Sequence, residues 1–361
     1  KLTGAELLGG DFLAHIKLFT LNVWSGFRYH GLIRLEEYET KQVREKRFQG
    51  LCAVLRKERP DIVCLNEANP LFSYGKRLAE ELGYVPLGHM GVAGLRAGKL
   101  GFPLNLREGD LVLASPSLSP QYIGRTHLGG KGYCGNFFSC HFDNLTQAVL
   151  VRCMLPEGRP LYVCVTHWVA GPAVTDENRA KLPALAQEWG FPKEQIAQAE
   201  VRLREMERCK RTEATRLCNW LEQTVPPDAP LIVAGDFNAE AGWPELEILR
   251  GRGFERLIPR EDGYATWDPL HNTNLQTYYT EEAQQRQKSL YHQLDALDEL
   301  YPRNIDHFYV RNLPLEGAAD CRVCATEPYE GVSISDHFAL TVSVEARAHS
   351  SYRSSPNRLQ G

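Results

Sequence analysis

The 361-residue chain has no run approaching the roughly 18 consecutive apolar residues that a membrane-spanning helix needs, which excludes such a helix. Positive charge is not in surplus either: 41 Lys and Arg stand against 45 Asp and Glu, a formal net charge of -4. That weighs against a broad basic surface gripping nucleic acid through many phosphate contacts, although one local groove would suffice for a nuclease. Cys321-Arg322-Val323-Cys324 has no second CxxC to complete a zinc ribbon and no following helix of thioredoxin type. No segment recurs at a fixed period, so solenoids and propellers are excluded. The opening residues carry no signal-peptide pattern. A cytoplasmic setting is expected ahead of a secreted one, with a monomeric state and peripheral membrane contact left open.

What is present is ordinary globular material, 43% hydrophobic and 24% charged. Of the ten cysteines, Cys64 and Cys164 lie inside apolar runs, where a free thiol behaves as a small hydrophobe. Unpaired thiols are expected; a Cys134–Cys140 disulfide is the alternative if the protein is secreted. Asn144-Leu145-Thr146 matches a glycosylation acceptor, a pattern too short to decide anything.

Residues 16–23 read as a buried strand, followed by a helix over 40–58 that Pro60-Asp61 ends. Ile62–Leu65 is a short strand, and a second helix covers 74–82. Strands are expected at 109–114, 121–124, 147–154, 160–166, 231–234, 305–310 and 338–344, with a long amphipathic helix ending near 223. Many strands and few helices suggest two packed sheets with helices on the outsides. The organisation expected is one domain over 1–345, with insertions near 87–108, 171–200 and 268–303 and a disordered tail over 346–361.

Polar residues of catalytic type recur where the strands stop: Asn22, Glu67, His167, Asp236 with Asn238, Asp306, and Asp336 with His337. A strand is a rigid support, and its end can aim a side chain into a cleft. Phosphoester cleavage needs these types. Carboxylates hold a hard divalent cation, a base and an acid move protons, and amides hold developing charge without competing for the metal. Singly, each has an ordinary structural explanation, such as a Gly-Asp turn or a hydrogen-bonded core histidine. Their order carries the weight.

Leu21-Asn22-Val23-Trp24, Asn66-Glu67, Thr166-His167, Gly235-Asp236-Phe237-Asn238-Ala239, Ile305-Asp306 and Ser335-Asp336-His337-Phe338 resemble, in order, the signature motifs of the endonuclease/exonuclease/phosphatase superfamily. The resemblance runs from about residue 16 to 344. It implies a four-layered α/β/β/α sandwich, two packed mixed sheets flanked by helices, with the active site at one end of the sheets. It implies a metal-dependent phosphoric ester hydrolase using Mg2+, with Mn2+ as a substitute. By resemblance, Glu67 is the principal metal ligand, with Asn22 and Asp336 near the metal. Asp236 orients or activates water, and Asn238 binds a phosphate oxygen, as Asn22 and His167 also would. Asp306 orients His337, and the two histidines divide the acid and base roles. Asn66 stands where the family usually has Gln, and His307 where it usually has an aromatic residue. His307 is expected to be a partly exposed strand histidine.

His167 separates the chain from abasic-site endonucleases and leaves the deoxyribonuclease I-like and neutral sphingomyelinase-like branches. Ala234, and Ala239-Glu240 after the Gly-Asp, argue against an inositol phosphatase. Leu21-Asn22-Val23-Trp24, Lys131-Gly132-Tyr133 and Thr266-Trp267-Asp268-Pro269 with His271-Asn272-Thr273-Asn274 resemble the sphingomyelinase-like branch. The expected substrate is a phospholipid headgroup ester. A nucleic acid is the alternative, and an inactive binding relative the third. The insertions are expected to set specificity, with Tyr278, Tyr279, Tyr291 and Tyr301 available for bases or a lipid surface.

Overall fold

The strand-forming runs are apolar at nearly every position because both of their faces are buried, and that fixes the layering. A computed structural model describes residues 13–347 except 31–33, 38, 92–94, 98–99, 103–107, 131, 135–138, 142–145, 262, 280–282 and 314–319. The expected tail beyond 347, Asn144, and the side chains of Cys134 and Cys140 lie outside the described residues.

The first half of the chain carries β1 (Leu13–Asn22), β2 (Phe27–His30), β3 (Arg34–Glu37), α1 (Lys41–Glu58), β4 (Ile62–Ala68), α2 (Leu71–Leu82), β5 (Val85–Met90), β6 (Leu95–Ala97), β7 (Leu100–Phe102), β8 (Gly109–Ala114), β9 (Gln121–Gly129), β10 (Gly132–Cys134), β11 (Ser139–His141), β12 (Thr146–Met154) and β13 (Pro160–His167). Then come α3 (Asp176–Glu188), α4 (Glu194–Thr224), β14 (Leu231–Asp236), α5 (Pro244–Gly251), β15 (Glu255–Leu257), α6 (Thr273–Tyr278), α7 (Leu290–Asp298), β16 (Asp306–Arg311), β17 (Asp320–Cys324) and β18 (Ala339–Arg347).

Two six-stranded mixed sheets form, in the orders β17-β18-β1-β4-β8-β5 and β15-β16-β14-β13-β12-β9. Leu18, Ile62, Cys64 and Val112 of one sheet meet Val149, Val163, Ile232 and Phe308 of the other in the central core. Alternate residues face outward: Phe19, Leu21, Val63 and Leu65 pack under Phe48 and Leu51 of α1. On the second sheet Leu150, Cys164 and Val233 pack under Leu217 and Leu221 of α4. The layers are helix, sheet, sheet, helix, as the motif order implied.

Helix α1 starts where the Thr40 hydroxyl accepts the Val43 N–H at 3.3 Å, and it stops at Arg59 in a left-handed turn (φ 49°) before Pro60. Its buried Arg47 donates to the carbonyls of Ile334, Val23 and Trp24 and pairs with Glu39. One side chain thereby pins both the turn after Asn22 and the approach to Asp336.

The segments 171–200 and 268–303, which read as polar excursions, instead contain α3, the start of α4, α6 and α7. Leu182, Ala186 and Phe191 of one insertion, Leu203 of α4, and Leu290 and Leu294 of the other share a satellite core. Hydroxyls cap two of these helices, Thr175 for α3 and Ser289 for α7, and the Asn272 side chain caps α6. The eight free cysteines among the described residues are buried except Cys209.

Candidate active site

Register brings the polar strand ends together. Parallel β1 and β4 set Asn22 beside Asn66, and parallel β13 and β14 set His167 beside Asp236. Antiparallel β16 then sets Asp306 against Asp236. Asn22 ties the two sheets: its Nδ2 donates to Glu67 Oε1 at 3.1 Å and to Asp236 Oδ2 at 3.0 Å, while its Oδ1 accepts the Trp24 N–H. Glu67 sits at an irregularity in the β4–β8 pairing, with φ of 57°, and its Oε2 accepts the Ser25 N–H at 2.8 Å.

The fully buried Asn66 makes the second tie. Its Oδ1 accepts the Asp236 N–H at 3.0 Å; its Nδ2 donates to Asp110 Oδ1 at 2.6 Å and to the Thr166 carbonyl at 3.0 Å. This close approach explains Gly235, whose Cβ would stand 2.1 Å from the Thr166 carbonyl oxygen and 3.0 Å from Asn66 Oδ1.

Asp306, wholly buried, accepts from His337 Nδ1 at 2.8 Å, and His337 Nε2 faces Asp236 Oδ2 at 3.8 Å. His167 Nε2 lies 3.5 Å from Asp236 Oδ2 and 4.0 Å from Glu67 Oε1. Burial opposes a charge on His337, but the carboxylates of Asp306 and Asp236 outweigh it and hold its pKa well above the ordinary 6.5. His167 is raised by the same competition, burial losing to Asp236 and Glu67. Burial lifts the Asp336 carboxyl to about 7 against the pull of His337.

The Thr266–Asn274 stretch braces this end. Thr266 Oγ1 accepts the N–H of Ile305 and of Asp306 at 3.0 and 3.1 Å. The Trp267 ring stands 5.2 Å from the His337 ring, edge to face. Asn272 and Asn274 both donate to the Ser335 carbonyl, and the Ser335 hydroxyl donates to the Asn22 carbonyl at 2.5 Å. Asn238, in left-handed backbone (φ 47°), donates its N–H to Asp236 Oδ1 at 2.8 Å and its Nδ2 to the Trp168 carbonyl at 3.0 Å. Every catalytic, phosphate-binding and metal residue proposed from the sequence therefore lines or backs one cleft of about 440 Å³.

His307 departs from expectation. It is buried, 1% exposed, and its Nε2 pairs with the Ala239 carbonyl at 2.8 Å behind Phe237 rather than reaching solvent or the cleft. Of the four tyrosines offered for bases or a lipid surface, Tyr279 lines the cleft, and its hydroxyl donates to Asp336 Oδ2 at 3.3 Å. Arg303, the one Lys or Arg among the described residues of the lining, is paired with Glu299 at 3.1 Å. Tyr278 packs on Trp24, Tyr291 belongs to the satellite core, and Tyr301 is exposed.

A model of the Endonuclease/Exonuclease/phosphatase family matches residues 19–337. The chain belongs to this family. Solved structures agree at the level of the fold. A Bacteroides thetaiotaomicron endonuclease/exonuclease/phosphatase family protein superposes with a TM-score of 0.54 at 12% identity, covering 93% of this chain and 99% of its own. The human Nocturnin catalytic domain with bound sulfate anion gives 0.52 at 15%, covering 94% and 97%. Zebrafish (D. rerio) TDP2 complexed with single strand DNA product gives 0.51 at 14%, covering 91% and 98%. No curated protein matches the chain at a significant level.

Endonuclease/exonuclease/phosphatase members hydrolyse phosphoesters and generally use a divalent metal. The residues here fit such an ion. Glu67 and Asp336 offer hard carboxylate oxygens to the cleft, and the one Lys or Arg among the described residues of its lining, Arg303, is paired with Glu299. A second grouping, Asp236, Asp306 and His337, has donor atoms within 4.8 Å of one another. An ion there would compete with the Asp306–His337 hydrogen bond, so the Glu67 and Asp336 side of the cleft is favoured. Among the described residues no helix is long and apolar enough to cross a membrane.

Proposed function

We propose that the chain is a magnesium-dependent phosphodiesterase, Mn2+ serving as a substitute, that hydrolyses its substrate by direct attack of water. The observation that carries this is the meeting of Glu67, Asp236 and His337 around the Asn22 amide, from motifs 315 residues apart in sequence at their extremes, Asn22 and His337. Glu67 is the principal metal ligand and Asp336 its neighbour. Asn22 holds Glu67 and Asp236 in register: both Nδ2 hydrogens go to their carboxylates and its Oδ1 takes the Trp24 N–H, so it serves the metal and the phosphate by fixing those two groups. Bound at Glu67, a divalent cation would supply counter-charge to the phosphoryl oxygens.

The protein's own groups handle the protons. Asp306 keeps a proton on His337 Nδ1, which leaves Nε2, beside Asp236, as the nitrogen that exchanges one. His167 stands across from it, where a phosphate or leaving-group oxygen would lie, and Asn238 adds an amide donor.

The substrate reading we favour is a phospholipid headgroup ester. Trp24, Trp267, Tyr279, Ala170, Ala283 and Ala296 give the cleft apolar walls, and its lining carries Asp295 and Glu299 but, of Lys and Arg among the described residues, only Arg303. Such a wall accepts one phosphodiester and repels a long polyanion. Nucleic acid is the second reading, favoured by the likeness to the TDP2 structure with a single strand DNA product. Sphingomyelin vesicles, single- and double-stranded DNA and RNA, and bis-p-nitrophenyl phosphate, each with and without Mg2+, separate the cases. Release of phosphocholine without nucleic-acid cleavage is expected. Nucleic-acid cleavage alone refutes the lipid reading, and silence on all of them refutes the enzyme.

A further inference from the structure

Helix α4 buries two charges that its packing does not call for. Lys210 is 0% exposed and Glu213 2%, three residues apart on the face that otherwise buries Leu203, Ala214, Leu217 and Leu221. Burying an ammonium or a carboxylate is costly, and an apolar residue of similar volume would pack the helix without that penalty. Both charges end on backbone of the loops that follow the catalytic strands. Lys210 Nζ donates to the Asn238 carbonyl at 2.6 Å and lies 4.9 Å from the centre of the Trp243 ring. Glu213 Oε2 accepts the Val169 N–H at 3.0 Å, and its Oε1 accepts the Thr146 hydroxyl at 2.5 Å.

The two loops are laced to each other as well. The Trp168 N–H donates to the Asp236 carbonyl at 3.0 Å, and Asn238 Nδ2 returns a bond to the Trp168 carbonyl at 3.0 Å. Room has been made for the carboxylate, because a Cβ at Gly129 would stand 2.1 Å from Glu213 Oε1. Asn238 is held in left-handed backbone, a conformation that a non-glycine residue keeps only when its surroundings enforce it.

We infer that Lys210 and Glu213 are positioning residues for phosphoester hydrolysis, one fixing Asn238 and the other fixing His167 through the backbone of their loops. The inference rests on the phosphodiesterase reading, and wild-type turnover of bis-p-nitrophenyl phosphate tests that reading separately. Given wild-type activity, Lys210→Met should melt as a folded protein and lose about tenfold or more in kcat, with KM within about threefold. Because Lys210 acts through Asn238, the double variant Lys210→Met, Asn238→Ala should be no slower than Asn238→Ala alone. A lower melting temperature with unchanged kcat, or losses that multiply in the double variant, overturns the inference. If Lys210→Met does not fold, the near-isosteric Glu213→Gln combined with His167→Ala decides on the same criterion at the other loop.

Discussion

Asp306→Asn should lower kcat by about a hundredfold while the fold and the response to magnesium survive. The exchange keeps size and shape, and Asp306 and His337 are 0% and 4% exposed at their side chains, so no water can replace the lost charge. Their contact is 2.8 Å. Unit charges about 4 Å apart attract by roughly 4 kcal/mol at an effective dielectric constant of about 20. That attraction holds the second proton on His337, and the doubly protonated form is the one that can deliver it. An amide oxygen in place of the carboxylate returns about 1 kcal/mol as a neutral hydrogen bond. The net loss of about 3 kcal/mol is roughly two decades in rate. Initial rates on bis-p-nitrophenyl phosphate at saturating magnesium, with thermal melts alongside, measure it. A variant that melts normally and turns over within threefold of wild type would refute both the dyad and the electrostatic reasoning.

Two further outcomes follow from the same geometry. Glu67→Gln keeps an acceptor for the Ser25 N–H but removes the charge, so half-maximal activation should need at least about tenfold more magnesium; an unchanged activation curve contradicts its role as principal ligand. Glu213 links site to stability: burial drives its carboxyl up to about 7 from 4.5, against Thr146, Val169 and Lys210. The folded chain holds this proton more tightly than the unfolded one, so the stabilisation is present below about pH 4.5 and lost as pH rises through about 7. Glu213→Gln, always neutral, should gain on wild type by up to about 3 kcal/mol between pH 5 and 8, read by urea unfolding; an equal gap at both pH values refutes the assignment.

The strand ends were legible because their signal is local. A buried strand is a continuous apolar run, and Asn22, Glu67, His167, Asp236 and Asp306 interrupt such runs at their ends. What depends on a neighbour from elsewhere in the chain was not legible. Lys210 and Glu213 share the apolar face of a 31-residue helix with Leu203, Leu217 and Leu221, but the Asn238 carbonyl and Val169 N–H that they bind come from loops elsewhere in the chain. His307 looked half-exposed for the same reason, since Phe237 and the Ala239 carbonyl that cover it arrive from another strand's loop. Asn66 reads as a small departure from Gln, and its reach to three other strands exists only once β4, β8, β13 and β14 are in register. The helices of 171–200 and 268–303 were hidden because each buries only a few apolar residues, those of α3 and α7 against each other and α4, and Leu275 of α6 against Trp267 and Ile305.

This division has a consequence for how the molecule works. The groups assigned to chemistry stand on strand ends whose positions are fixed by two ladders and by amide ties, so they have little freedom to vary without loss of the sheets. The wall opposite them is made differently. Tyr279, Ala283, His292, Asp295 and Glu299 of the cleft all come from the 268–303 insertion, whose α7 stands on the satellite core while Tyr279 packs with Trp267, Leu275 and Ile305. Replacing side chains there alters what lies beside the phosphate without moving Asp236 or His337. This wall departs from a nucleic-acid groove in its acidic groups, Glu299 and Asp295, the latter lifted by burial to about 7, set against one paired arginine among the described residues. A phosphodiester that carries its own positive charge next to the scissile bond would satisfy both halves of such a cleft, the strand-end half by its phosphate and the insertion half by its cation.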